Sequence, residues 1–374
     1  MEYVSTAKWR ERRWRLFSTF PYKKQIGIGR KPKLSQFGVG VNDAGRCRMN
    51  DWETRTAQKH TSQWMLIFFL AVGFGVGLLP YMSLAGPSKN GFDLTKHTIP
   101  LDEIRQGGPP KDGIPAILIP TFIEAREATF LQAQDRILGF IQGDEAKAYP
   151  INILNWHEVV NDEVNGRPVV ITYCPLCGTG IGFQRQVKGK TYTFGVSGLL
   201  YQSDMLMYDH QTESLWSQLE MTAVAGPLTG AVLSHVFLEH TTWEAWRQAH
   251  PTTKVLSTQT GYHRDYSRDP YLGYAGRMDL MFPVSHENDL HHPKEWVVGV
   301  EVGGVAKAYP FLELDKTSGQ IRDRVSGSTI IIEFDSQARS AVVFDIQHRP
   351  IPSVMAYWFA WYAFHPDTLI FSYP

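Results

Sequence analysis

The chain has 374 residues, 37 Lys and Arg against 37 Asp and Glu, and an apolar fraction of 43%. The neutral balance lacks the electrostatic footprint of a nucleic-acid binder, and the apolar share is too high for a disordered chain. Three cysteines are too few for a disulfide scaffold.

Residues 1–63 carry fourteen Lys/Arg, from Lys8 to Lys59, against five Asp/Glu. They show no sustained apolar periodicity and read as a disordered basic tail. Trp64–Leu84 then has no charge at all. About 20 apolar residues span a bilayer. The basic excess ahead of them predicts a cytoplasmic N-terminus and an exported remainder. Ser83-Leu84-Ala85, before Gly86-Pro87, also has the small-x-small pattern of a signal cleavage site. Met49 would give a more ordinary start, with the preceding residues an over-long gene start. Segment 64–85 is therefore expected to be a transmembrane helix or a signal peptide. Residues 87–374 are expected outside the cytoplasm, on the periplasmic side, with the membrane as a partner and nucleic acid not. A buried core helix is the plainer alternative for the apolar segment.

Residues 86–115 are rich in Gly and Pro and read as a linker or extended arm. Phe122–Gln134 has helical character. A pattern then begins that returns later. Asp135–Pro150 reads DRILGFIQGDEAKAYP and Glu295–Pro310 reads EWVVGVEVGGVAKAYP. AKAYP matches fully, as do Gly139 with Gly299 and Gly143 with Gly303. Asn161–Gly166 then sits against Arg322–Gly327, and Trp246…His250-Pro251 echoes Trp361…His365-Pro366. An internal duplication is the simplest account, with a first repeat over 116–260 and a degenerate second over 261–374. The expected fold is α+β, strand-dominated, with two duplicated halves packed together. Each half would carry short hairpins and a Trp-bearing helix (Thr242–His250 and Val354–Phe364).

What both copies keep reads as scaffold, and what one copy lacks reads as function. Cys174 and Cys177 lie in Thr172-Tyr173-Cys174-Pro175-Leu176-Cys177-Gly178-Thr179-Gly180. The second copy has Asp335 and Ala338 there. A β-branched run leads in and alternate glycines lead out, so the pair belongs on a strand-to-strand turn rather than a helix start. Gly195–Gly226, which follows, has no counterpart in the second copy. It holds Ser203, Asp204, Met205, Met207, Tyr208 and Trp216. Its plainer reading is a set of polar turns, Asp209-His210-Gln211-Thr212 among them.

YCPLCGTG, FGVSGLLYQSDMLMYDHQTESLWSQ, WEAWRQAHPTTKVLS, YSRDPY and YWFAWYAFHPDT together resemble the bacterial and archaeal DUF3179 family over roughly residues 114–374. That resemblance implies an exported protein of a family of unknown function. It supplies no reaction and no catalytic set.

Three chemistries suit the cysteine pair. The first is a metal. Cys-Pro-x-Cys-Gly is a knuckle that aims two thiolates at one ion, and Cys174, Cys177 and His157 would suit zinc. A His or a Met such as Met205 or Met207 as third ligand would suit copper(I) outside the cytoplasm, and copper handling or metal-dependent redox chemistry is the leading expectation. His157 is absent from the second copy, which has Thr317 there. Its plainer reading is a hydrogen-bonded structural histidine, and His210 and His235 are weaker choices. The second chemistry is dithiol–disulfide cycling, which an exported location permits. It lacks the helix N-terminus that lowers a thiol pKa. The third is a cysteine nucleophile, as in a hydrolase or transferase, using His157 and Asp204, with Tyr208 in the same catalytic set. Ser203 and Trp216 are the candidate cofactor contacts. A non-catalytic binding module with a structural metal is the remaining alternative. His286, His291 and His292 read as a solvated loop, and the Tyr-, Arg- and Asp-rich 260–271 stretch as either a substrate-cleft rim or a charge-laced loop.

Overall fold

Repeated short hairpins organise the chain, many turned by a residue with left-handed backbone, Gly143, Gly166 and Gly178 among them. A computed structural model describes residues 86–374. The basic tail, the apolar segment 64–85 and Cys47 lie outside the described residues. Among the described residues no helix is long and apolar enough to cross a membrane.

Strands hold 42% of the described chain and helices 11%. The five larger sheets have five, four, five, four and three strands. They are arranged as the blades of a five-bladed β-propeller. This corrects the α+β expectation of two packed halves. The helices, Ile151–His157, Trp243–Ala249, Phe311–Leu314 and Trp358–Phe364, have at most seven residues. They connect strands and do not form a layer. Phe122–Gln134 is not a helix either: Phe122–Glu124 is an edge strand, followed by one 3-10 turn at Ala125–Glu127. The 86–115 arm buries Phe92, Leu94, Ile99 and Ile104, and Ile104–Gln106 pairs with the Phe194–Tyr201 strand.

The sequence echoes map onto equivalent local units. In one, Arg136–Gln142 pairs with Glu145–Pro150, placing Gly139 opposite Ala148. In the other, Trp296–Val302 pairs with Val305–Pro310, placing Gly299 opposite Ala308. Both glycines are fixed by a close approach. A Cβ on Gly139 would lie 2.3 Å from the Trp246 ring, and one on Gly299 would lie 2.2 Å from the Trp361 ring. Each indole N–H reaches a buried threonine hydroxyl at 2.9 Å, Thr253 in one unit and Thr368 in the other.

AKAYP is retained for a similar reason. Lys147 and the Tyr149 hydroxyl both bind Asp162, at 3.0 and 2.6 Å. Lys307 and Tyr309 bind Asp323 in the same way, at 2.6 and 2.8 Å. Strand alternation puts the Lys and Tyr of one strand on the same face, toward the Asp of the next hairpin. The first triad is nearly dry, with Lys147 and Asp162 side chains 7% and 6% exposed; the second is wetter, at 15% and 21%. Removing one partner of a dry pair strands the other charge, at a cost of about 3–5 kcal/mol. Asp162→Ala should therefore destabilise the chain by that amount in urea unfolding, and Asp323→Ala by clearly less. Equal losses would show that burial does not set the difference.

Candidate functional site

The β-branched run Val169–Thr172 builds the end of the Arg167–Cys174 strand, which pairs with Thr179–Gln184, Cys174 opposite Thr179. Pro175–Gly178 is thus a hairpin loop, as its sequence predicts. The Cys177 N–H closes it onto the Cys174 carbonyl at 3.2 Å. Gly178 has φ +67°, and a Cβ there would meet the Trp296 ring at 2.8 Å. Both cysteines are free thiols and buried.

The second component arrives from the Gly195–Gly226 segment. Phe194–Tyr201 and Asp204–Asp209 form a hairpin whose two connecting residues, Gln202 and Ser203, have φ of +51° and +64°. Non-glycine residues in left-handed backbone cost about 1 kcal/mol or more each. The Gln202 amide holds this turn, donating to Glu103 and to Ser285 Oγ while its oxygen accepts from the Ser285 N–H. The turn aims the Ser203 carbonyl at the Cys177 thiol, which donates to it at 3.4 Å. It also brings Asp204 to the pair: the two sulfurs and one Asp204 oxygen lie within 4.8 Å of one another.

These three side chains are 1% exposed or less. Asp204 Oδ2 accepts from the Leu219 N–H at 3.1 Å. Asp204 Oδ1 and Ser203 Oγ are buried without any hydrogen-bond partner. Burial lifts Asp204 to about 7 against the pull of the Leu219 N–H, the two thiols and the Met205 N–H. Burial, with the Asp204 charge added, lifts Glu158 to about 8. Burial also raises both thiols, Cys177 the more strongly. Around the group, Gln218 donates to Thr172 at 2.8 Å and accepts from Thr179 at 2.6 Å, all three buried, which ties both strands of the cysteine hairpin to the turn after Leu215–Ser217.

His157 is not part of this cluster. It ends the Ile151–His157 helix, and its Nδ1–H donates to the Pro115 carbonyl at 2.7 Å. That leaves Nε2 to accept from the Tyr266 hydroxyl, also at 2.7 Å. Both ring nitrogens are thus engaged, one with Pro115 and the other with Tyr266 of the 260–271 loop, and the group gathered around the two thiols contains Asp204 rather than the expected His157. A cysteine nucleophile loses its nearest base for the same reason.

Tyr208 points to the other side of its strand, where its hydroxyl donates to Asp112 at 2.6 Å and its ring stacks on His210. Trp216 packs in the same apolar cluster as the cysteines, Met205 and Met207, and its indole N–H donates to Asp209 at 2.9 Å. Sequence reasoning missed Glu158, Gln218 and Tyr274, whose buried hydroxyl has no partner. Glu158 adjoins His157 in the chain and, like it, has no acidic counterpart in the second copy, which was the available signal.

A propeller with a buried dithiol–carboxylate cluster is the class of protein that fold and site define. Residues 111–368 match the family described as "Protein of unknown function (DUF3179)", and the chain belongs to that family. No curated protein and no solved structure matches it.

Two buried carboxyls held above the range of an unfolded chain (~4) have a measurable consequence. The folded state keeps protons that the unfolded state releases. The contribution of these two carboxyls is therefore absent above pH ~8 and grows as pH falls through ~7 toward ~4, whereas histidines that burial keeps neutral, His235 and His240 among them, act in the opposite direction below their ordinary range. Urea unfolding in chelator, native chain against Asp204→Asn, isolates the Asp204 part: the stability difference between the two should change with pH around ~7. A difference that stays constant across this window would contradict it.

Proposed function

We propose that Cys174, Cys177 and Asp204 bind a single metal ion, and that zinc is that ion. The observation that carries this reading is the convergence of two buried thiols and one buried carboxyl oxygen within 4.8 Å of one another, with the thiols the nearest groups to an Asp204 Oδ1 that has no hydrogen bond of ordinary geometry. A desolvated carboxyl oxygen without such a bond is costly, and a cation would satisfy it and the two thiolates together. The donor set favours zinc over copper(I): one hard oxygen with two sulfurs is ordinary for zinc, whereas copper(I) prefers sulfur alone. Three protein ligands would leave a fourth position, the count found where zinc takes part in chemistry. A bound zinc would act there as a Lewis acid. Ser203 and Gln218 belong to the shell that positions the donors. Dithiol cycling is less well served, because burial covers both sulfurs and raises both thiols.

Anaerobic purification of the full chain followed by elemental analysis tests this. About one zinc per chain is expected, with loss in Cys174→Ser/Cys177→Ser and weaker retention in Asp204→Asn. Ligands must shed protons to bind, so affinity for added zinc should climb with pH. Chain that stays metal-free after challenge with zinc and with copper(I) would sink the metal reading, and copper(I) retained over zinc would overturn the choice of ion.

The apolar segment 64–85 and the basic residues before it support a location for this site outside the cytoplasm, at the membrane face. Alkaline phosphatase fused after Pro374 should be active in a bacterial host; an inactive fusion, with the same fusion active in the opposite orientation, would place the chain inside.

A further inference from the structure

On the outer side of the cysteine hairpin lies an open cleft of about 440 Å³. Pro175 from the cysteine loop lines it, and so does Arg339 from the loop that the sequence echo places in register with it. Tyr173, Tyr271, Trp296 and Tyr357 form much of the wall. Tyr357 is also joined to the cysteine loop, its N–H donating to the Cys177 carbonyl at 2.8 Å.

Two groups lining this cleft are out of balance. Arg136 is largely buried, and its guanidinium donates to two main-chain carbonyls, Ala338 at 2.5 Å and His240 at 2.9 Å. Among the described residues no carboxylate lies within ion-pair distance of it, and Glu239 acts on it only from further away. Arg339, by contrast, is neutralised by Asp315 at 2.7 Å. His240 is 4% exposed, and neither ring nitrogen has a hydrogen-bond partner. Its ring is wedged edge-on between Tyr173 and Trp296. A buried cation without a counter-ion and a buried imidazole without partners each carry a desolvation cost that a ligand would offset.

We propose that this cleft is a binding site for a small organic carboxylate with a planar ring, the carboxylate meeting Arg136 and His240 and the ring lying among Tyr173, Tyr271, Trp296 and Tyr357. Each terminal nitrogen of Arg136 keeps a second N–H, and a guanidinium takes a carboxylate as a matched fork. Neutral His240 supplies one further N–H. The rings provide the apolar wall that gives a small ligand most of its contact. Asp269 also lines the cleft, within reach of Tyr173 and Tyr357, so its charge disfavours a second anionic group on the ligand. The site does not depend on metal at the cysteines.

Benzoate is the probe, titrated into the full chain with Trp fluorescence and calorimetry as readouts, beside benzamide, its neutral analogue, and glucose. Benzoate should saturate, and benzamide should bind roughly tenfold more weakly or worse, as loss of a charge-assisted bond requires. Arg136→Gln should weaken benzoate by a similar factor while leaving benzamide unchanged. Because Arg136 also ties two carbonyls, Tyr271→Ala is the second variant: it removes a partly exposed wall residue and should weaken benzoate and benzamide alike. The same titrations on the unaltered full chain with chelator and with added zinc should give equal benzoate binding, which separates this site from the metal reading. Benzamide binding equal to benzoate, benzoate that does not saturate, or saturation by glucose in its place would each overturn the proposal.

Discussion

Water reaches neither Asp204 nor the two sulfurs beside it, and the architecture around them keeps that group closed. A carboxyl placed there by folding loses its hydration, and the donors it regains, the Leu219 N–H foremost, do not restore it. The cost appears as an acid that holds its proton to about 7. Sites that retain such a cost are enriched in function. The neighbouring Glu158, lifted to about 8, makes the same region still less tolerant of negative charge. One cation would reverse the sign of that energetics for every group in it, since thiolates and carboxylate would then be favoured together.

The backbone is strained in the same place and for the same purpose. Gln202 and Ser203 hold left-handed φ without being glycine, and the Gln202 amide fixes the turn from outside through Glu103 and Ser285. Relaxing the turn would withdraw both the Ser203 carbonyl and Asp204 from the cysteine loop. The Thr172–Gln218–Thr179 network performs the matching task on the other hairpin. Two hairpins near each other in sequence, 167–184 and 194–209, are thus each locked by a buried amide.

Much of the cysteine loop was legible. Val169–Thr172 and the alternate glycines demanded a strand-to-strand turn, and the echo separated AKAYP, Gly139 and Trp246 as scaffold from the cysteines and Asp204. The ligand choice was not legible, because nearness along the chain does not say which way a side chain leaves a helix end. His157 closes on Pro115, 42 residues away, a contact no spacing reveals. The blade arrangement was hidden for a related reason. Glu239–Thr242 pairs with Arg136–Gln142, and Lys254–Leu256 runs parallel to Glu145–Pro150. Such pairings depend on which edges meet after collapse, whereas local patterning fixes only the individual hairpins.

The echo also explains how one fold came to hold two kinds of loop. At the position of Cys174 the second copy has Asp335, whose carboxylate accepts from the Gln337 and Ala338 N–H groups at 3.0 and 2.9 Å. That loop is closed across its own residues by the Asp335 side chain. The first copy has Cys174 and Cys177 at the same positions, and its loop receives the Ser203 carbonyl and Asp204 from another sheet. The Asp335 loop serves the cleft, giving its Ala338 carbonyl to Arg136 and its Arg339 side chain to the wall. Equivalent hairpins have diverged in the side chains that complete the turn: a carboxylate that caps its own backbone in one, two thiols that meet a carboxyl from a neighbouring sheet in the other.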